Sequence, residues 1–291
     1  LEEAIEFAPQ LSVIANPAPF HMSVALPLAR VGSHLLIEKP LAASAAEIPP
    51  LLEFVNRARL MLLTGYNLRF VPSLDRFRRL LHEGIVGRVA SVRCEVGQYL
   101  PGWSPGTDYR RGVSARRELG GGALLELSHE LDYLRWIFGD VQWVRALLCT
   151  QSALELDVED CAHLILGFSG VSSSHGPVAT VNLDFIRHDP TRTCTVIGAS
   201  GSLRWDGIAG VVEHFPAGAK GWNEVFRHTP ERDDSYRAEW RHCMDCIASG
   251  RTPVVSGEDG LAVLDIVEAA RRSAQAAGGQ AAVIVSQEAH G

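Results

Sequence analysis

The chain has 291 residues, 46% hydrophobic and 21% charged, with a formal net charge of −7. These proportions describe a globular protein of one large or two ordinary domains, and an acidic balance with no Lys/Arg block argues against a nucleic-acid surface. No apolar run approaches the roughly 18–20 residues of a membrane span, nothing at the start reads as a secretory leader, and six scattered cysteines point to reduced thiols in a cytoplasmic protein.

In chain order, residues 1–7 read as part of an amphipathic helix. A strand is predicted at 11–15, a helix at 20–31, a strand at His34–Glu38, a helix at 51–59 and a strand at 60–65. Strands alternating with helices at this spacing predict a parallel sheet with crossover helices. After Tyr66 the pattern changes. A helix is predicted over Pro72–His82, an alternating strand over 89–99, and a long Pro-, Gly-, Arg- and Tyr-rich loop over 100–119. Gly120-Gly121-Gly122 opens a helix expected to continue to about residue 138. Strands follow at Val141–Cys149, Cys161–Phe168, 179–185, 194–197, 202–205 and 211–214, then helices at 235–248 and 259–276. Strands at hairpin-length spacing predict a mainly antiparallel second sheet. Cys243 and Cys246 fall in a helical pattern and read as buried helix positions.

Glu38-Lys39-Pro40 stands out because Lys39 is one of only two lysines, beside Lys220, against 25 arginines. A lysine proton, unlike that of arginine, can be tuned toward neutral pH by burial or a neighbouring charge. The tripeptide also ends a buried strand, where open α/β sheets place their ligands. Asn16-Pro17 and His21 follow the preceding strand, and adjacent parallel strands bring the two loops to one sheet edge. Glu126, His129 and Glu130 share one helical face, so a carboxylate could set the imidazole's tautomer. The triple glycine permits close approach of backbone to a ligand. No third His/Cys cluster supports a metal. The loop with Tyr99, Trp103, Tyr109, Arg110, Arg111 and Ser114 suits a polyol or sugar, including one with an anionic group.

These pieces in this order resemble the glucose–fructose oxidoreductase/inositol dehydrogenase (Gfo/Idh/MocA) family. The matching residues are Ala15-Asn16-Pro17 then His21, Glu38-Lys39-Pro40, Gly65-Tyr66 then Arg69-Phe70, Gly84-Ile85-Val86-Gly87, Gly120-Gly121-Gly122 then His129 and Asp132, and the stretch from Gly198 to Trp205. The resemblance implies an α/β fold. Residues 1–66 would be the remainder of a Rossmann-type parallel sheet, and 67–291 a substrate-binding and oligomerisation domain with an open, mostly antiparallel sheet. It implies NAD or NADP as cofactor, lined by Asn16, Pro17, His21, Glu38, Lys39, Pro40 and Arg69. It implies a sugar or cyclitol substrate whose secondary alcohol is held by Lys39, with His129 as general acid/base. Tyr99, Trp103, Tyr109 and Arg110 would meet the substrate, and the C-terminal sheet would form a homodimer or homotetramer.

Two departures are visible. Leu125 stands where the family carries an aspartate before the histidine, so Glu126 is the candidate replacement. No GxGxxG appears, and the pyrophosphate-holding loop is expected upstream of Leu1 in a longer chain. Two alternatives remain at this level. One is a non-catalytic sugar or dinucleotide sensor of the same fold. The other is a lyase using Lys39 as a Schiff base.

Overall fold

A computed structural model describes residues 1–169, 176–229 and 231–286. Helix α1 (Glu2–Phe7) leads into β1 (Leu11–Ile14), α2 (His21–Arg30), β2 (His34–Glu38), α3 (Pro49–Ala58) and β3 (Leu62–Gly65). The three strands form a parallel sheet in the order β1-β2-β3. Leu35, Leu36 and Ile37 of β2 are all buried, as a central parallel strand with both faces covered requires. Ile14 pairs with Ile37 and Glu38 with Gly65, so the loops after all three strands leave from the same edge. Helix α3 starts two residues before its expected position. Pro49 and Pro50 occupy its first turn, where the missing N–H costs no intrahelical bond.

The second unit runs α4 (Pro72–His82), β4 (Val89–Gly97), α5 (Ala123–Glu126), α6 (His129–Phe138), β5 (Val141–Cys149), β6 (Cys161–Phe168), β7 (Val178–Asp184), β8 (Thr191–Gly198), β9 (Gly201–Asp206), β10 (Val211–Pro216), β11 (Asn223–Arg227), α7 (Asp234–Ser249), α8 (Gly257–Gln275) and β12 (Ala281–Ala282). Its nine strands are ordered β11-β10-β9-β8-β4-β7-β6-β5-β12. Every pairing is antiparallel except β4 with β7. Helices α4, α6 and α8 lie in the core that covers one face. On the other face Leu147, Ile165 and Val178 are exposed. No described helix is long and apolar enough to cross a membrane.

Helix α8 ties the two sheets together. Ser256 caps it with a reciprocal Asp259 bond, and Thr64 Oγ1 at the end of β3 donates to the Ser256 carbonyl at 3.0 Å. Farther along, Ser273 Oγ accepts from Ala146 N of β5 at 2.8 Å. A Cβ on Gly260 would come within 2.7 Å of Thr64 Oγ1, so this close packing needs glycine.

The loop expected at 100–119 is present and includes short 3-10 turns, while two expectations are corrected. The helix expected from the glycines to residue 138 is two helices, broken at Leu127 and Ser128, both buried. The glycines approach other parts of the chain closely, although Gly120 and Gly121 also line a cavity that contains neither Lys39 nor His129. A Cβ on Gly121 would run into the carbonyls of Val113 and Ser114, and Gly120 and Gly122 have φ of +84° and +110°. Strands β11 and β12 were not foreseen.

Candidate active site

Lys39 follows directly on β2, and its bond to Pro40 is cis. Its side chain crosses to the break between α5 and α6. Lys39 Nζ donates to the Glu126 carbonyl oxygen at 2.8 Å and lies 3.7 Å from Glu126 Oε1. Ser114 Oγ donates to Glu126 Oε2 at 3.0 Å. Glu126 is thus the partner of Lys39. Among the described residues it makes no bond to His129, because the helix break takes the two residues off a common face.

His129 opens α6. Its ring meets Tyr66 edge-on, with centroids 5.5 Å apart, and Tyr66 Oη lies 3.2 Å from Ser128 Oγ. The Nδ1 atom is buried with no partner among the described residues. Burial holds the imidazole pKa well below its ordinary 6.5, with the charges of Lys39 and Arg192 acting in the same direction. The ring is therefore neutral near pH 7 and can accept a proton.

Lys39 and His129 line one pocket of about 330 Å³. Gln98 just past β4, Trp103, Arg192 on β8 and Tyr236 on α7 complete its walls, with Asn67 from the loop after β3. Arg192 Nε donates to Glu130 Oε1 at 2.9 Å, and Glu130 is fully buried. Burial raises the Glu130 carboxyl pKa, against the pull of Arg192. A larger cavity of about 860 Å³ lies between Gly120, Arg117 and Arg271 and contains neither Lys39 nor His129.

At the sheet edge, Asn16 and Pro17 follow β1. Asn16 Oδ1 is buried and has no partner among the described residues. A buried acceptor without a donor is costly unless a ligand supplies one. His21 Nε2 lies 2.6 Å from the Asn16 carbonyl and Nδ1 lies 3.2 Å from that of Leu41. With both nitrogens engaged and 1% exposure, His21 braces two loops instead of facing a ligand. Glu38 Oε2 accepts from Lys39 N at 3.3 Å, and burial raises its pKa. Pro40 is buried behind Lys39. Next to Glu38, Glu239 of α7 is 3% exposed with Oε1 unpartnered. Burial and the charge of Glu38 push its carboxyl up to about 8.

Arg69 is corrected from a cofactor contact to a buried brace. Its Nε and Nη2 donate to the two Asp132 oxygens at 2.9 and 2.6 Å, and Nη1 donates to the Val254 carbonyl at 2.7 Å. Asp259 lies 3.3 Å away and also holds Arg135. No guanidinium nitrogen is left for a ligand. Of the expected substrate contacts, only Trp103 lines the pocket. Tyr99 stacks on His188, and Tyr109 Oη accepts from Glu155 N at 3.2 Å. Arg110 is exposed and committed to Asp108 and Glu155.

Reasoning from sequence missed Arg192, Tyr236, Gln98, Asn67 and Glu239. Tyr236 and Glu239 reach the site from a helix about two hundred residues after Lys39, and their helical pattern carries no sign of it. Arg192, set between threonines at the start of β8, was the one position with a visible cue.

The family description "Oxidoreductase family, NAD-binding Rossmann fold" matches residues 2–66, and "Oxidoreductase family, C-terminal alpha/beta domain" matches residues 78–281. Myo-inositol 2-dehydrogenase of Thermotoga maritima is 26% identical over 268 residues, covering 90% of this chain and 76% of that protein. Levoglucosan dehydrogenase of Pseudarthrobacter phenanthrenivorans is 30% identical over 139 residues, 47% of this chain and 35% of that protein. A solved levoglucosan dehydrogenase in complex with NADH superposes with a TM-score of 0.86 at 22% identity, covering 97% of this chain and 82% of that one. That likeness is one of fold.

Proposed function

The chain belongs to the Gfo/Idh/MocA oxidoreductase family, and on that premise we propose that it oxidises or reduces a secondary alcohol of a sugar, cyclitol or sugar derivative with NAD or NADP. The observation that carries the reading is the meeting of Lys39 and a neutral His129 in one pocket. The residues present fit the cofactor. Asn16 Oδ1 is a buried acceptor waiting for a donor, and Glu38 and Lys39 stand on the adjoining strand end. A bound nicotinamide supplies the hydride acceptor or donor.

The chain's own groups handle the oxygen and the proton. Lys39 Nζ spends one N–H on the Glu126 carbonyl. Its remaining N–H groups are available to a substrate hydroxyl, which they orient and polarise. His129 Nδ1 is closed off from solvent, so Nε2 is the atom that takes the hydroxyl proton as the C–O bond becomes a carbonyl. The Glu126 carboxylate, 3.7 Å away, helps aim Lys39. In the reverse direction the imidazolium returns the proton to the forming alkoxide.

The test is reduced-nicotinamide absorbance with a panel of sugars and cyclitols. His129→Ala and Lys39→Ala should each lower turnover by at least about 10²-fold, the smaller end of what a positioned acid or base contributes. Circular dichroism should remain unchanged. Turnover like that of the wild type in either variant would overturn the assignment.

The open face of the nine-stranded sheet supports self-association. Leu147, Ile165 and Val178 point to one side, in adjoining rows of β5, β6 and β7. A homodimer or homotetramer through this face would cover them.

A further inference from the structure

We propose that Arg192 is the specificity-determining anion anchor of the pocket, and that the substrate is a sugar acid, a uronic or aldonic acid bound through its carboxylate. The inference rests on the dehydrogenase reading of the same site and deepens it to a substrate class.

Three observations carry it. First, Arg192 is held, not loose. It pairs with Val96 across β4–β8, and its Nε donates to the fully buried Glu130 at 2.9 Å. Its stem packs at Gly207, where a Cβ would come within 2.9 Å of Arg192 Cγ. Second, among the described residues nothing accepts from Nη1 or Nη2, although Arg192 lines the pocket with Lys39 and His129. A guanidinium fixed at Nε presents its two terminal nitrogens as a planar fork, the geometry that grips a carboxylate with two parallel bonds. Third, the one carboxylate that meets Arg192, that of Glu130, takes only its Nε, so the terminal nitrogens have no acceptor among the described residues. An incoming carboxylate supplies the missing acceptor. The pocket of about 330 Å³ lies at the low end of the roughly 300–1,000 Å³ typical of ligand sites, which suits a single sugar ring.

The experiment is calorimetric titration of the full protein with D-glucuronate, D-galacturonate and D-gluconate, each beside its neutral counterpart glucose, galactose or glucitol. At least one acid should bind at least tenfold more tightly than its neutral partner, and added salt should narrow the gap. Arg192→Gln should abolish the preference, and Arg192→Lys should retain only part of it. Since Arg192→Gln strands the buried Glu130, the double variant Arg192→Gln/Glu130→Gln is measured too and should behave the same. If no acid binds better than its counterpart, if nothing binds, or if both Gln variants keep the preference, the proposal is overturned. Cofactor reduction is recorded separately. Acid-selective binding without turnover would sink the dehydrogenase reading and leave the anchor. Equal turnover of acids and neutral sugars would do the reverse.

Discussion

Glu239→Gln should remove a pH-dependent penalty built in beside Glu38. Glu239 is 3% exposed, faces the Glu38 carboxyl, and has Tyr236 and Cys243 as its other titratable neighbours on α7. Its carboxyl pKa rises from an ordinary 4.5 to about 8 in the native state. Between these limits the folded protein holds a proton that the unfolded chain has lost. Folding then takes up a proton, so stability is full at low pH and falls as pH rises from 4.5 to 8. At about 1.4 kcal/mol per pH unit the loss is on the order of 4 kcal/mol by pH 8. Glutamine cannot ionise and has nearly the same shape. The variant should therefore match the wild type near pH 5 and be more stable near pH 8. At about 2 °C per kcal/mol for a chain of this size, the gain is roughly 8 °C in Tm. Because Glu38 and Glu239 interact, the titration belongs to the pair. Melting curves of both proteins from pH 5 to 8.5 are the assay. Parallel Tm–pH profiles would refute the idea that burial holds this proton.

Asp132→Asn should be costly, since it removes the bidentate partner of Arg69 and leaves a buried guanidinium with Asp259 alone. The expected loss is about 3 kcal/mol, read as a fall of several degrees in Tm. Asp75→Asn, which breaks an exposed pair with Arg79, should leave the melt unchanged. The proposed self-association through the open sheet face predicts that Ile165→Asp shifts the protein toward monomer in sedimentation velocity without changing the Tm measured at low concentration. The same sedimentation for both proteins would refute that proposal.

The sequence by itself determined most of the element types and singled out Lys39 and His129. The alternation of short apolar strands with helices gave β1–β3 as parallel, because strand and helix periods differ and crossover connections admit little else. The bounds of β2, α4, β5 and β6 match their patterns residue for residue. Lys39 was visible because lysine is rare here and because it ends a buried strand. His129 was visible because it follows the glycines.

Which partners those residues have was decided only by the tertiary structure. Glu126 was read as an aid to His129, but a two-residue break in the helix turned it toward Lys39. Arg69 was read toward the cofactor, yet Asp132 and Asp259, both far along the chain, claimed it for the core. The triple glycine was read as room for a ligand, and its three members instead meet Pro19, the carbonyls of residues 113 and 114, and the Glu159 side chain. Arg192 and Tyr236 join the pocket from β8 and α7, and Glu239 of α7 comes to lie beside Glu38. Local patterns report which face of a strand or helix is buried. They do not report which distant side chain covers it, because that depends on how the two sheets are held together by α8 and on where one charge finds another once water is excluded.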